Sequence, residues 1–369
     1  MNFNTFDRQH PVTTRILVTG ATGFLGGHIL QALQKQPNVT VIAACRTPER
    51  LPVGFQGEVR VGDLLDEAYR HQITQKVDVI CHAGTWGAFW GHHTEEREHF
   101  YEPALDLMER AIEAGVKRFL LASTVAIAKV SKKGAPVDDF SETSYKHFWP
   151  HVDRLIDLDN YMKANRHRGM QMVNMRLGHF VGKGNRLGMV PALIPRLRTY
   201  MVPWLAGGRK RMAVVTGEDL GESFALASVA TGLDDYESFN ICGNEFPSSR
   251  EVISFIARES RSPKPWFSVP YSMGYAFGWL MEKMFPILPG SSPFLTRSLV
   301  LVSEDWHCPT EYAKKKIGYL PKGDWRDAIR ESLFELAEQG YPWPQLAQST
   351  KSSTQQPQSL QMSLQRKPN

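Results

Sequence analysis

The sequence has few features of a disulfide-bonded, nucleic-acid-binding or secreted protein. Its four cysteines form no Cys-x-x-Cys pair, which argues against a disulfide framework or a zinc knuckle. A net charge of +5 over 369 residues is too mild to indicate nucleic-acid binding. Because residues 1–14 lack the apolar core of a signal peptide, we expect a cytoplasmic protein.

The sequence also lacks an uninterrupted apolar run long enough to cross a bilayer. Its longest apolar stretch, residues 271–288, is broken by Glu282, Lys283 and Pro286 and falls short of the roughly 20 apolar residues required. One hypothesis makes this stretch a lid over a substrate pocket, and the other makes it an interfacial helix in peripheral membrane contact. The membrane-facing side would consist of Phe277, Trp279, Leu280, Met284 and Phe285.

Short apolar, β-branched runs alternate with helix-length segments through the first half of the chain. They lie at residues 16–18, 39–44, 59–61, 77–81, 119–122 and 172–175. Continuous apolar runs separated by helices are typical of a parallel sheet covered on both faces. The sequence therefore predicts an α/β fold with a doubly wound Rossmann-type parallel sheet.

The domain organisation follows from a change in composition near residue 182, where the alternation weakens and proline and aromatic residues become frequent. We predict a dinucleotide-binding Rossmann domain at residues 14–185 and a smaller substrate-binding region at residues 186–344. The boundary is soft, because a strand at residues 239–242 is compatible with the main sheet. Of the last 25 residues, 345–369, 14 are Gln, Ser or Thr, which predicts a disordered tail. In the second region we predict helices near residues 218–230, 249–259 and 325–339.

A glycine-rich segment at residues 15–30 joins the first strand to the first helix. Gly20 permits a tight turn, Gly23 lets the backbone approach a pyrophosphate, and Gly26 lets the helix pack against the sheet. The helix N-terminus then faces the anion, so the segment predicts a dinucleotide site. Three further residues of the segment are assigned to the same site: Thr22, Phe24 and Leu25.

The residue after the second strand bears on the choice of cofactor. A carboxylate there would accept the ribose hydroxyls of NAD, whereas this chain has Arg46. Since a guanidinium suits a 2′-phosphate, we favour NADP(H), with NAD as the alternative. Asp63 and Leu64, after the third strand, are placed near the adenine, and Ala83 and Gly84, after the fourth, line the cofactor.

These motifs carry a family resemblance. The chain resembles an extended short-chain dehydrogenase/reductase of the NAD-dependent epimerase/dehydratase superfamily, closest to the 3β-hydroxysteroid dehydrogenase-like branch. The segments that carry it lie at residues 19–26, 115–124, 176–182, 215–219 and 293–318. The resemblance implies a catalytic Ser or Thr, which Thr124 matches, and the possibility of a homodimer.

The resemblance also implies a Tyr and a Lys four residues apart on one helix, with the ammonium lowering the pKa of the phenol. Counting back from residue 176 places these positions at His151 and Leu155, and neither residue matches. The Tyr-x-x-x-Lys at residues 312–316 lies too near the C-terminus, and we interpret it as part of a solvated helix face.

Three hypotheses remain for the missing pair. His151 replaces the phenol, because imidazole titrates near neutrality without help from a lysine. Alternatively Tyr145 acts from a rearranged loop, although its i+4 partner is Trp149. In the third, the site binds its cofactor without turning it over.

Two other residue groups have weaker interpretations. A cluster of His92, His93, Glu96 and His99 fits no defined ligand spacing, so we expect no metal site. Just upstream, three aromatic side chains are candidates for the wall of an apolar substrate pocket: Trp86, Phe89 and Trp90.

The leading functional hypothesis is an NAD(P)(H)-dependent oxidoreductase acting on an alcohol or ketone of a bulky apolar small molecule, such as a sterol, terpenoid or polyketide. The first alternative is a non-catalytic NADP(H)-binding scaffold or regulator. The second is a nucleotide-sugar epimerase or dehydratase, in which Arg209 and Arg211 would grip the diphosphate.

Overall fold

The computed structural model describes residues 13–130, 134–186, 188–285 and 293–338. The tail predicted at residues 345–369 lies outside these ranges. The strands are β1 (Thr14–Thr19), β2 (Val39–Cys45), β3 (Glu58–Val61), β4 (Val79–His82), β5 (Arg118–Thr124), β6 (Gln171–Leu177), β7 (His179–Val181), β8 (Trp204–Leu205), β9 (Val214–Thr216), β10 (Tyr236–Ile241) and β11 (Ser268–Val269).

The helices alternate with these strands through most of the chain. They are α1 (Phe24–Leu33), α2 (Glu67–Ile73), α3 (His93–Glu96), α4 (Glu102–Glu113), α5 (Pro150–Asn165), α6 (Met189–Arg198), α7 (Gly217–Val229), α8 (Ser249–Glu259), α9 (Tyr271–Met284), α10 (Arg297–Val302), α11 (Glu311–Ile317) and α12 (Trp325–Glu338). A π-helical turn, Arg97–Tyr101, joins α3 to α4. Short 3₁₀ turns occur at Pro48–Arg50, Val125–Ile127 and Ala206–Gly208.

Seven parallel strands form the main sheet of the described residues, in the order β10-β6-β5-β4-β1-β2-β3. Helices α1, α7 and α11 pack on one face, and α2, α4 and α5 pack on the other. This is the doubly wound parallel arrangement that the alternating apolar runs predicted, and the fold class is confirmed. The six predicted runs correspond to β1–β6, and the run at residues 239–242 corresponds to β10.

Residues beyond 185 do not form a wholly separate unit, because α7, β10 and α11 belong to the layers of the main sheet. A third apolar cluster lies beside the sheet and is built mainly from α6, α8 and α12. Within the described ranges, every helix is too short or too polar to traverse a lipid bilayer.

The order of the strands reverses at β1, which has β2 on one side and β4 on the other. Parallel register aligns Thr19 with Ala44 of β2 and with His82 of β4, so the carboxyl ends of these strands meet at one edge. In open α/β sheets this reversal leaves a crevice at the carboxyl edge where ligands bind.

Candidate active site

A cavity of about 2130 Å³ lies along the carboxyl edge of the sheet and extends beneath α6 and α9. It contacts both halves of the chain, from the glycine-rich turn to the α9 helix. All eleven residues predicted to bind the cofactor line this cavity: Gly20, Thr22, Gly23, Phe24, Leu25, Gly26, Arg46, Asp63, Leu64, Ala83 and Gly84.

The glycine-rich turn leaves no room for side chains. Gly20 has a left-handed φ of +63°, and a Cβ there would lie 2.7 Å from the Cα of Gly84. A Cβ on Gly26 would overlap the carbonyl oxygen of Gly20. These contacts bring β1, α1 and the turn after β4 together so closely that only glycine fits.

The N-terminus of α1 opens onto this turn and suits a pyrophosphate. Gly23 is the N-cap residue, no side chain caps the helix, and its first turn carries no acidic residue. No capping side chain therefore accepts a hydrogen bond from the first amide N–H groups of α1. The helix dipole also favours an anion at this end. The residues present fit a dinucleotide.

A cation lines the cavity directly after the end of β2. Arg46 is three-quarters exposed, and its guanidinium lies 3.5 Å from the carboxylate of Asp63. Arg50, on the 3₁₀ turn that follows β2, lines the same part of the cavity and was not singled out from the sequence. Two guanidinium groups therefore lie where the adenosine half of a dinucleotide would extend.

A buried hydrogen bond ties β1 to β4 beneath the cofactor cradle. The Thr19 hydroxyl lies 2.9 Å from His82 Nδ1 and accepts a hydrogen bond from the Gly84 N–H at 3.2 Å. Burial lowers the pKa of His82 to about 4, so its imidazole is neutral at physiological pH. The pair fixes the backbone turn that carries Ala83 and Gly84 into the cavity.

Thr124 ends β5 and lines the same cavity. Its hydroxyl oxygen accepts a hydrogen bond from the Ala126 N–H at 3.2 Å, which caps the following 3₁₀ turn. Since this bond occupies a lone pair of the oxygen, the O–H remains available as a donor to a ligand.

His151 enters the cavity from the first turn of α5 and is paired with a buried carboxylate. Its Nδ1 lies 3.1 Å from Oε2 of Glu96, a residue with no exposed surface. The other carboxylate oxygen, Oε1, accepts a hydrogen bond from the Ala88 N–H at 2.8 Å. This imidazole–carboxylate pair has the form of a base and the group that orients it.

Two further contacts hold the imidazole in place. The Phe100 ring packs against it at a centroid distance of 5.0 Å. On another side, a Cβ added to Gly87 would lie 3.1 Å from the ring, so the loop passes close to it. Phe100 lies in the π-helical turn that directly follows Glu96, and such turns are frequent at functional sites. Leu155, at the predicted lysine position, is buried and lines the cavity.

The structure does not bring Tyr145 to the site. Its hydroxyl donates to Asp157 at 2.8 Å and accepts from Asn160 at 3.2 Å, its side chain is exposed, and it does not line the cavity. The structure therefore contradicts the hypothesis that Tyr145 acts from a rearranged loop. Asp157 and Asn160 both lie on α5 beyond His151 and hold the phenol away from the cavity. Tyr312 likewise donates to Glu237 outside the cavity.

Two other groups of residues do not form a ligand-binding site in the structure. Among the described residues, no group of three or more His, Cys, Asp and Glu side chains is placed to hold a metal ion. Arg211 pairs with Asp305 at 2.7 Å, and neither Arg209 nor Arg211 lines the cavity. The structure therefore contradicts the hypothesis that these two arginines bind a diphosphate in the cavity.

The part of the cavity beyond Thr124 and His151 is largely apolar. Trp86 and Phe89 line it as predicted, whereas Trp90 packs against Phe285 and does not. Of the residues predicted for an interfacial helix, Phe277 lines the cavity. The other large apolar side chains of this wall include Trp149, Tyr200, Met201, Trp204, Trp266, Phe267, Met273, Phe294, Leu295 and Leu299.

Comparison with known proteins adds a family assignment. A family model described as the NAD dependent epimerase/dehydratase family matches residues 16–242. Among curated proteins, the hybrid PKS-NRPS synthetase iliA of Neonectria sp. (strain DH2) is 40% identical over 82 residues, which is 20% of this chain and 2% of iliA. The hybrid PKS-NRPS synthetase traA of Penicillium crustosum is 26% identical over 208 residues, which is 48% of this chain and 5% of traA.

Solved structures share the fold. A nucleoside-diphosphate-sugar epimerase from Pseudomonas aeruginosa has a TM-score of 0.68 at 16% identity, covering 89% of this chain and 99% of the epimerase. The UDP-glucuronic acid 4-epimerase from Bacillus cereus, in complex with NAD, has a TM-score of 0.66 at 18% identity, covering 89% and 100%. At these identities the likeness establishes the fold.

Proposed function

Because this chain belongs to the NAD dependent epimerase/dehydratase family, we propose that it is an NADP(H)-dependent oxidoreductase of the short-chain dehydrogenase type, acting on an alcohol or ketone of a bulky apolar molecule. The observation that carries the proposal is that the glycine cradle, Thr124 and His151, with its partner Glu96, line one cavity. A scaffold without catalytic activity would not need a buried carboxylate aligned on an imidazole at the cavity wall.

The residues that would hold the cofactor follow from the geometry of the cradle. The amides of the first turn of α1 would bind the pyrophosphate, with the backbone of Gly23 in contact. Arg46 would pair with the 2′-phosphate. The bound cofactor supplies or accepts a hydride at the substrate carbon.

His151 and Thr124 would handle the accompanying proton at the substrate oxygen. When His151 Nδ1–H donates to Glu96, Nε2 is the nitrogen left to exchange a proton with the substrate. The Thr124 O–H, free to donate, would hold the same oxygen in position. Because Glu96 orients the imidazole directly, the proposed proton transfer requires no lysine at the position of Leu155.

The wall of the cavity supports the proposed substrate class. Large aromatic and aliphatic side chains dominate the region beyond the catalytic groups, and such walls bury apolar ligand surface. The names of the curated relatives, hybrid PKS-NRPS synthetases, are compatible with a polyketide-like member of this class. A panel of sterol, terpenoid and polyketide ketones, assayed for NADPH oxidation, tests the proposal. An absence of turnover across the panel, with saturable NADPH binding, would favour the non-catalytic alternative.

Replacing Arg46 by Ala is expected to weaken NADPH binding by about 30-fold while changing NADH binding little. The 2′-phosphate would lose a charge-assisted hydrogen bond worth roughly 2 kcal/mol, and NADH has no such group. Isothermal titration calorimetry with both cofactors measures the difference, with NADH as the internal control. Equal losses for the two cofactors would contradict the NADP(H) assignment.

Replacing Thr124 by Val is expected to lower kcat/KM about tenfold, because the substrate oxygen loses one hydrogen-bond donor while the side-chain shape is kept. Thr85→Val is the matched control, since Thr85 lines the same cavity but its hydroxyl donates to the Trp86 carbonyl. Wild-type kinetics in the Thr124 variant would remove this residue from the mechanism.

A nucleotide-sugar epimerase is the second candidate, favoured by the solved epimerase structures that share the fold. It predicts saturable binding of a sugar nucleotide such as UDP-glucose in the presence of cofactor. The apolar wall of the cavity and the position of Arg211 outside it lead us to expect no such binding. Calorimetry with UDP-glucose distinguishes the two candidates.

A further inference from the structure

The indole of Trp149 belongs to a closed hydrogen-bond network that includes the His151 side chain. Its Nε1–H donates to the Ala88 carbonyl at 3.1 Å. The Ala88 N–H donates in turn to Glu96 Oε1 at 2.8 Å, and Glu96 Oε2 lies 3.1 Å from His151 Nδ1. Trp149 and His151 both lie at the start of α5, so the chain itself closes the network.

The backbone at the start of α5 holds the indole side of the network in place. Trp149 is the N-cap residue, and its carbonyl accepts a hydrogen bond from the Asp153 N–H at 3.2 Å. The Asp153 carboxylate accepts hydrogen bonds from the Lys146 and His147 N–H groups at 2.6 and 2.9 Å. Any displacement within the network is therefore expected on its other side, in the loop that carries Ala88.

This loop, residues 83–92, joins β4 to α3 without helix or strand. Next to Ala88, the Ser298 hydroxyl donates to the Phe89 carbonyl, and the Phe89 ring stacks on Trp149 with the centroids 5.4 Å apart. The peptide plane before the Ala88 Cα is bound through its N–H to Glu96, and the plane after it through its carbonyl to the indole. Because the two planes share this Cα, the indole hydrogen bond limits the directions that the N–H can take.

The Glu96 carboxylate depends on that N–H for its orientation. Glu96 has no exposed surface, so its carboxylate cannot turn to water for a replacement hydrogen bond. Within the part of the chain that the structure describes, its hydrogen-bond partners are the Ala88 N–H and His151. A shift of Ala88 would therefore turn the carboxylate and change the direction of its contact with Nδ1.

We propose that Trp149 is a positioning residue for proton transfer by His151. Its indole N–H fixes the loop at Ala88, the Ala88 N–H fixes the Glu96 carboxylate, and the carboxylate fixes the imidazole. Trp149 exchanges no proton itself, because an indole N–H is a donor only. The effect on turnover rests on the proposed function, whereas the effect on the imidazole does not.

Trp149→Phe tests the proposal, because phenylalanine keeps an aromatic ring against Phe89 and removes the N–H donor. We expect kcat for NADPH oxidation with a substrate ketone to fall about tenfold, since a small displacement of a proton-transferring group slows the reaction. KM and NADPH affinity should stay unchanged. Trp306→Phe is the matched control: the Trp306 N–H also donates to a carbonyl, that of Leu301 at 3.0 Å, but Trp306 does not line the cavity.

Hydrogen exchange at the imidazole gives a readout that needs no substrate. In protein with isotope-labelled histidine, NMR follows the exchange of the His151 Nδ1 proton with water, and the signal is identified by its loss in His151→Gln. We expect exchange about tenfold faster in Trp149→Phe than in the wild type, because a loosened Glu96 protects the proton less. Trp306→Phe should exchange at the wild-type rate.

A Trp149→Phe variant with wild-type kcat and wild-type exchange would overturn the proposal. So would a raised KM at unchanged kcat, since Trp149 would then act only as part of the cavity wall. Equal losses of kcat in the two tryptophan variants would contradict it as well, because the effect would then be a general loss of stability. If the wild type turns over no ketone, the proposed function fails, and the exchange rates still decide whether Trp149 positions the imidazole.

Discussion

Replacing His151 by Gln is expected to lower kcat about 10³-fold while leaving NADPH affinity unchanged. Proton transfer by a positioned side chain contributes about 10²- to 10⁴-fold to enzymatic rates, and glutamine cannot exchange a proton near neutral pH. The glycine cradle is built from β1, α1 and the turn after β4, whereas His151 lies on α5, so the cofactor should still bind. Steady-state NADPH oxidation with a substrate from the ketone panel gives kcat and KM separately.

His99→Gln is the control for this variant. His99 lines the same cavity, and its ring meets the Trp86 ring edge-on with the centroids 6.2 Å apart. The Glu96 carboxylate accepts hydrogen bonds from the Ala88 N–H and from His151 instead. If His99→Gln retains nearly full activity while His151→Gln does not, the effect belongs to the paired imidazole. Wild-type kcat in His151→Gln would contradict the mechanism.

Glu96→Gln is expected to lower kcat about 10²-fold with little change in KM. The Ala88 N–H needs an acceptor, so the amide oxygen of the new side chain would remain on Ala88 and its NH₂ would face His151. The amide would then donate to Nδ1, so the imidazole could not hold a proton on both nitrogens, as it must before it gives one to the ketone oxygen during NADPH oxidation. This variant therefore keeps the hydrogen bonds of the loop and changes which ring nitrogen of His151 carries the hydrogen.

Glu95→Gln serves as the control, because the neighbouring Glu95 is exposed and pairs with His92 instead. A fall in kcat with an unchanged melting temperature and unchanged NADPH affinity identifies Glu96 as a positioning residue for His151. If instead melting temperature, cofactor affinity and kcat fall together, Glu96 is a structural residue of the loop.

That the proposed cofactor-binding residues line the cavity could be predicted from the sequence, because the information is local. Gly20, Gly23 and Gly26 lie within one strand–turn–helix unit, where the spacing itself encodes the close backbone approach. Arg46 and Gly84 follow directly after apolar strands, and all strand ends of a parallel sheet meet at one edge. None of these predictions depends on a contact between segments that are distant in the sequence.

The catalytic half depends on contacts that the sequence does not encode locally. Glu96 and His151 are 55 residues apart, and the short α3 helix and the π-helical turn between α3 and α4 set the direction of the carboxylate. The sequence shows Glu96 only as a neighbour of three histidines, whereas its burial, which the sequence does not reveal, makes it a partner for His151. Arg211 was misplaced for the same reason, since its partner Asp305 is 94 residues away.

In the proposed mechanism, His151 carries the proton although His151 and Leu155 stand where the resemblance implies a Tyr and a Lys. A phenol near its unperturbed pKa of about 10 needs a neighbouring cation to act as a base, whereas an imidazole needs only orientation. The buried Glu96 carboxylate and the packed Phe100 ring provide that orientation. The expected consequence is the same oxidoreductase chemistry with a different pair of side chains.

A crystal structure of the protein with NADP⁺ and a substrate ketone or alcohol would test the central claim most directly. The account predicts the pyrophosphate on the N-terminus of α1, with the substrate oxygen within about 3.5 Å of both His151 Nε2 and the Thr124 hydroxyl. A nicotinamide ring or substrate oxygen facing any other titratable side chain would contradict it.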